Sequence, residues 1–427
     1  MAQFRIIISL TLMVLTLISS VLHADARPKF SIVPLEPQEN HLKITKVGAG
    51  EVIYRVTNNT KITRTLTLTP QKGVVQKTNM PGSCPAQFTL APNQSCSLHI
   101  EVHGNQIARE GHVGGPVVCK SNNGAADPFL CSQPSLVNSL YVTFIQIAYV
   151  SNAVSGTVSK CSLAANGTFS SCVDSGVGAQ FDTPAEISIH PSLPIAYVVN
   201  SSSDSVSRCT MDNDGSFVSC TKFFGGSVPF ESPEGIVLNH DGSIAYVANA
   251  SSTEVSQCVL NPDGTFNNCV VAGTVPSSNT PFGIALNSAG TFAYVTCCDA
   301  VIKCFIKSNG AFGACIDSGV GATFNFANGI VINKSDTIAY VVDQGIPGYG
   351  ISVCQMFKGA LVSCRLFTLP AFFDVPSDIV LNRSETLAYI STDNTVAVCA
   401  IRPDGNLEQC VNSGGSFDDA RGIALSP

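Results

Sequence analysis

Carboxylates recur in this chain where a short apolar segment begins. Glu186-Ile-Ser-Ile189 starts on one, Glu234 immediately precedes Gly235-Ile-Val-Leu238, and Asp378 opens Asp378-Ile-Val-Leu381. Three sibling segments, Gly283-Ile-Ala-Leu286, Gly329-Ile-Val-Ile332 and Gly422-Ile-Ala-Leu425, are entered through Phe282, Asn328 and Arg421. Variable side chains ahead of a constant strand are what a ligand funnel on a fixed scaffold displays, and these six are the candidate binding residues. Glu186, Glu234, Asn328 and Asp378 offer oxygen ligands that suit a hard cation such as Ca²⁺. No other cofactor is expected. The chain has no G-x-S-x-G elbow, no H-E-x-x-H and no phosphate-cradling glycine loop. Beyond residue 144 the only histidines are His190 and His240, both read as turn residues on the opposite face. A histidine general base is therefore missing from the binding face, and no catalytic residue is assigned.

The 18 cysteines carry a second kind of chemistry. Cys84/Cys96 and Cys119/Cys131 are twelve apart; Cys161/Cys172, Cys209/Cys220, Cys258/Cys269, Cys304/Cys315 and Cys399/Cys410 eleven; Cys354/Cys364 ten. Metal sites would want short C-x-x-C knuckles or nearby histidines, so the pairs read as disulfides. Cys297 and Cys298 fall outside the scheme. Free thiols and pairing with another chain are both open to them. The reading adopted is a vicinal disulfide forming a rigid apolar patch on the binding face.

Export fits this redox chemistry. Residues 1–26, MAQFRIIISLTLMVLTLISSVLHADA, combine an early cation, a short apolar run and an Ala-Asp-Ala cleavage site, the pattern of a secretory signal. No later stretch reaches membrane length. The expected compartment is the periplasm or the medium, and the expected state a monomer. Of 427 residues 45% are hydrophobic and 12% charged, with a net charge of −7 and no basic run, so no nucleic-acid partner is expected.

The positioning elements are all strands. Residues 27–143 give about seven short alternating segments, among them Glu51–Thr57, Arg64–Thr69, Ala86–Leu90 and Ser95–Val102, and no helical period. A small β-sandwich fits them. Ala86–Leu90 and Ser95–Val102 read as one hairpin tied by Cys84–Cys96, and Cys119–Cys131 as the closure of a loop, KSNNGAADPFL. The stretches YRVTNNT and FTLAPNQSCSLHIEV resemble the Ig-like modules that precede repeat domains in exported bacterial proteins.

Residues 144–427 are repetitive. Ala-Tyr recurs at Ala148, Ala196, Ala245, Ala293, Ala339 and Ala388, 46 to 49 residues apart, and a glycine turn follows each: Gly167, Gly215, Gly264, Gly310, Gly359 and Gly405. Four strands at this period define a β-propeller blade. The first Ala-Tyr strand has no segment before it, and Gly422–Leu425 has no Ala-Tyr strand after it. A six-bladed ring closed by the C-terminal strand explains both, and removes an exposed edge. The cysteine pairs would then staple the outer hairpins, directly opposite across a two-residue turn or offset by one across a three-residue turn. GIVLNHDGSIAYVAN and PFGIALNSAGTFAYV resemble the YVTN/lactonase-like propeller repeat of bacteria. That resemblance implies either a non-enzymatic binding or scaffold protein with a protein or small-molecule ligand, or a metal-dependent hydrolase or lyase working at the channel.

Overall fold

The computed structural model describes residues 28–427 except 37–39, 109, 277–279, 320–323 and 346–348. The secretory signal therefore lies outside the described residues. The chain divides into two compact units: residues 28–42, Glu51–Val102 and Glu110–Val142 form one, and Lys43–Gly50, 103–108 and Thr143–Pro427 the other. The excursion Lys43–Gly50 groups with the second unit because its backbone bonds there, the Thr45 amide donating to the Asn213 carbonyl at 3.2 Å.

The first unit holds two four-stranded sheets. One runs Phe30–Pro34, Ala49–Asn58, Ser95–His103, Val74–Lys77; the other runs Ala125–Ser132, Val118–Asn122, Arg64–Leu68, Gln87–Leu90. Two expectations need correcting here. Gln87–Leu90 and Ser95–His103 belong to different sheets, so the connector between them is a crossing and not a hairpin turn. Asn58 pins that crossing: its Nδ2 donates to the Leu90 carbonyl at 2.8 Å and its backbone N–H to the Gln94 carbonyl at 3.0 Å. The stretch around KSNNGAADPFL is not a loop but a hairpin, with Cys119 directly opposite Cys131. Asn123 and Gly124 make its turn at positive φ, the Asn-Gly signal of a tight hairpin.

The second unit contains, among the described residues, six four-stranded antiparallel sheets. Five follow chain order from the inside outward; Pro233–Leu238, Ile244–Asn249, Glu254–Leu260 and Phe266–Thr274 are one example. The other draws its innermost strand from the chain's end, Ala420–Leu425 lying antiparallel to Ile147–Asn152 with Val150 opposite Ile423. The innermost strands touch one another in succession, from Pro184–Ile189 through the four between to Ala420–Leu425, which touches Pro184–Ile189 again. Apolar side chains fill the space between neighbouring sheets, giving six separate clusters, one of them joining the first sheet to the sixth through Val150, Phe169, Tyr389 and Val398. This all-β arrangement is consistent with a propeller.

The Ala-Tyr pair acquires a physical meaning. Each Ala stands directly opposite the first cysteine of its sheet, as Ala245 opposite Cys258. A methyl group leaves room there for a buried disulfide. Each Tyr is buried, and its hydroxyl donates to the turn glycine of the next sheet: Tyr149 to Gly215, Tyr197 to Gly264, Tyr246 to Gly310, Tyr294 to Gly359 and Tyr340 to Gly405, at 2.7–2.9 Å. Tyr389 of the last sheet reaches Gly167 of the first at 2.9 Å. Burial pushes the Tyr246 phenol up to about 12, so it stays a donor at any physiological pH. The glycine is required for the turn itself, since Gly310 holds φ +84° and an added Cβ would meet the Gln257 amide.

All eight expected cysteine pairs form disulfides. Cys84–Cys96 and Cys119–Cys131 lie in the first unit. Cys161–Cys172, Cys209–Cys220, Cys258–Cys269, Cys304–Cys315, Cys354–Cys364 and Cys399–Cys410 give each propeller sheet one bridge between its two outer strands. The two ends of these six bridges differ in depth. Each first cysteine is buried against the inter-sheet core, whereas Cys172, Cys220, Cys315, Cys364 and Cys410, on the outermost strands, are only half-buried. Cys269 is the exception and is buried. In four sheets the bonded cysteines are directly opposite, and a one-residue register shift falls just beyond them, toward the turn. In the fifth and sixth sheets the shift falls at the cysteines themselves. The sequence left a choice between a tight turn and an offset; the turn uses both devices, a positive-φ glycine and a bulge.

Candidate functional site

A cavity of about 250 Å³ opens where the six innermost strands begin. Glu186, Glu234, Phe282, Asn328, Asp378 and Arg421 all line it, joined by Asp393, Asp419, Gln344, Ser377 and Val375. The entry positions named from the sequence thus converge. They do so on two levels. Matched by strand register, Ala185, Glu234, Phe282, Asn328, Ser377 and Arg421 form the outer level. One residue deeper come Glu186, Gly235, Gly283, Gly329, Asp378 and Gly422, so the two buried carboxylates occupy what is otherwise a glycine position. Glycine prevails there because neighbouring strands nearly touch; a Cβ on Gly329 would stand 2.6 Å from Asp378 Oδ1.

Each inner strand breaks register at this point. Hydroxyls from the adjacent strand hold the break in three sheets. The amides of Gly283, Asp378 and Gly422 donate to Thr296 Oγ1, Ser391 Oγ and Ser151 Oγ at 2.7, 3.0 and 2.7 Å. The residue just ahead of the strand sits at positive φ in four sheets, at Thr183, Ser232, Phe326 and Asp419, a conformation that costs non-glycine residues of order 1 kcal/mol.

The two deep carboxylates reach across to the next strand. Glu186 Oε2 accepts the Ile236 N–H at 2.7 Å, and Asp378 Oδ2 accepts the Ile423 N–H at 3.0 Å while its Oδ1 takes the Ile379 N–H at 2.7 Å. Burial nevertheless holds Asp378 up at about 6 despite those two amides. Burial, and then the negative charge of Asp378, push Glu186 well above the ordinary carboxylate range. Glu234 is raised by burial and partly restored by Arg421. Asp393 is raised by burial, with Asp419 and Asp374 adding to it. Against these five carboxylates the cavity has one cation. Arg421 Nε lies 3.1 Å from Asp419 and its guanidinium 4.0 Å from Glu234.

Asp393 and Asp419 escaped the sequence reading because both lie in bends outside the recurring tetrapeptide. Their signal was positional: one follows the last Ala-Tyr strand, and the other precedes the strand that has no such partner. The exit positions act on their own backbone, as Asn residues at bends do. Asn200 and Asn249 accept the amides of Asp182 and Glu231 and donate to Ser207 and Ser256. His190 and His240 are indeed turn residues. His190 Nδ1 accepts the amides of Ser192 and Leu193, and burial lowers its pKa, leaving it neutral.

No cysteine lines the cavity. The six bridges of the second unit join the two outer strands of each sheet, with Cys172, Cys220, Cys269, Cys315, Cys364 and Cys410 on the outermost strands, three strands away from the innermost. Their role is structural. Cys297 and Cys298 depart from expectation, for both are free thiols and form no vicinal disulfide. Cys297 points into the apolar cluster between the third and fourth sheets, while the chain turns at Cys298 with φ +27° and carries its sulfur to 3.7 Å from Thr280 Oγ1. The carboxylates do not form a cation cage either. Among the described residues no three His, Cys, Asp or Glu side chains are placed to share a metal ion, and Glu186 Oε2 and both oxygens of Asp378 already accept strand amides. A resident Ca²⁺ does not fit the residues as they stand.

No protein-family model matches the chain, and no curated protein matches it either. Solved structures do. The periplasmic gluconolactonase PpgL of Pseudomonas aeruginosa is 13% identical with a TM-score of 0.50, over 66% of this chain and 99% of that one. A chain of a nidogen/laminin complex is 14% identical with a TM-score of 0.51, over 66% and 98%. At such identities the likeness is one of fold. The class is the β-propeller, and the eight disulfides of the chain, six of them in the propeller unit, fit an exported protein. No described helix is long and apolar enough to cross a membrane.

Proposed function

We propose that this is an exported binding protein: a monomeric six-bladed propeller, closed by its C-terminal strand and carried behind an Ig-like module, that takes a positively charged small molecule at the channel mouth. The observation that carries this is the charge balance of one concave site, five carboxylates facing a single guanidinium already tied to two of them. A cation entering there relieves carboxylates that burial has left poorly solvated. Concavity favours a small ligand over a protein surface. The lining includes no His, Cys or Lys to act as nucleophile or base. Periplasm and medium both suit the disulfides.

A second reading, a hydrolase or lyase, draws on the same raised carboxylates, since an acid near neutrality is what proton transfer needs. One set of measurements separates the two. Purified protein is titrated with methylammonium and guanidinium, assayed on lactones and esters, and analysed for metals, with Glu234→Ala in parallel. Saturable cation binding that weakens at least fivefold in the variant, without turnover, is the expected result. A stoichiometric divalent metal together with lactone turnover abolished by Glu234→Ala would overturn it.

A further inference from the structure

A second cavity, of about 500 Å³, is lined by the later residues of the same six innermost strands. Its walls are apolar, with Ile189, Val237, Leu286, Ile332, Leu381 and Leu425 supplying one side chain from each sheet. Glu186 lines both this cavity and the acidic one, so the two spaces adjoin at this residue. Lys334, Arg383 and Glu385 stand at the far rim. The channel is therefore acidic at one end, hydrocarbon-walled in the middle and of mixed charge at the other end. From Glu186 to Ile189 at the far end of its strand is about 10 Å at the ordinary rise of a β-strand.

We propose that the ligand is a linear alkylamine, its ammonium held at the acidic mouth beside Glu186 and its hydrocarbon chain running down the apolar bore. This rests on the cation-binding reading above and adds the tail to it. Three features choose that occupant. Glu186 and Asp378 are the deepest charged groups of the mouth, so an ammonium reaching them points whatever it carries into the bore. A hydrophilic polycation would leave the bore's isoleucine and leucine walls unused and bring a second charge into them at a large desolvation cost. A fatty acid, the mirror-image amphiphile, would set its carboxylate against the acidic side chains of the mouth, Asp419 and Glu234 among them. The excess of carboxylates at the mouth, against the mixed charge of the far rim, sets the direction of insertion.

The test is calorimetric titration of the full mature chain with methyl-, butyl-, hexyl- and octylammonium, with hexanoate as the control. Affinity should rise about fourfold per added methylene until the tail reaches the far rim, and hexanoate should not bind. Glu186→Gln, which keeps a carbonyl for the Ile236 amide, should weaken every member of the series by a similar factor, at least fivefold, and leave the chain-length slope intact. Equal affinity for methyl- and octylammonium would overturn the tail while sparing the acidic mouth. Absence of binding by every ammonium would overturn the underlying reading as well. A slope unchanged by Glu186→Gln, with no loss of affinity for any member, would remove the head-group assignment.

Discussion

Asp378 replaces a glycine found in four of the six sheets, and its two oxygens take two backbone amides from strands that would otherwise leave them facing the channel. Its carboxyl is raised from 3.8 to about 6 by burial. A raised carboxyl contributes stability that is full below the unfolded value and is lost as pH climbs through the folded one. The native protein should thus lose a few kcal/mol from this residue between about pH 4 and 6. Asp378→Asn forfeits an acceptor at every pH, but its stability relative to wild type should improve steadily across that interval. Thermal melts of both proteins at pH 4, 5, 6 and 7 check this; a constant difference would show that Asp378 ionises normally. The candidates Glu186, Glu234 and Asp378 could be found in the sequence because a constant strand followed them. Their two levels could not, since one residue of offset shows only once strands are registered. Nor could the fate of Cys297, which depends on which side of a strand end faces the inter-sheet core.

At the scale of elements, the sheet is held by a small Ala opposite a disulfide and by a Tyr hydroxyl reaching the next sheet's turn. Tyr246→Phe keeps the ring and its stacking on Phe312, at 5.3 Å between centroids, while leaving the Gly310 carbonyl without its donor. The expected loss is about 1–2 kcal/mol, measured by denaturant unfolding. Ala245→Val should cost about 1–3 kcal/mol by crowding Cys258, whereas Thr221→Val, on an exposed strand position, should cost little. Removing the Cys258–Cys269 bridge by paired alanines should forfeit at most about 2–3 kcal/mol of loop entropy, because the hairpin already confines the chain. The repeat, the glycine turns and all eight pairings were legible as spacing. The unequal depth of the two sulfurs in a bridge such as Cys161–Cys172 was not, because it depends on which strand is outermost and what packs beside it. The Tyr-to-turn bond was hidden too: donor and acceptor lie 64 to 67 residues apart in five cases and 222 in the sixth, and nothing local records the pairing.

At the scale of the molecule, the last strand is where the proposed ring is joined. Ala420–Leu425 supplies the inner edge of the first sheet and also the backbone that Asp378 and Ser391 hold. Deleting residues 420–427 should therefore lower the melting temperature of the whole propeller by more than ten degrees and open Ile147–Asn152 to hydrogen exchange; local fraying alone would contradict the closure. The N-terminal unit yielded less to sequence reading. Its strands alternate well enough to be counted, but sheet membership depends on long-range crossings such as the one pinned by Asn58.

On the proposed function, the channel mouth receives a positive charge. Titration with hexylammonium at pH 6, in two buffers of different ionisation enthalpy, tests it most directly. Glu186, Glu234, Asp378 and Asp393 are all held up by burial, with Asp419 and Arg421 beside them. A bound ammonium must draw protons off that group, so one-to-one binding with net proton release is predicted, along with tighter binding at pH 7 than at pH 5. Binding that releases no proton and ignores pH, or no binding at all at millimolar ligand, would contradict it.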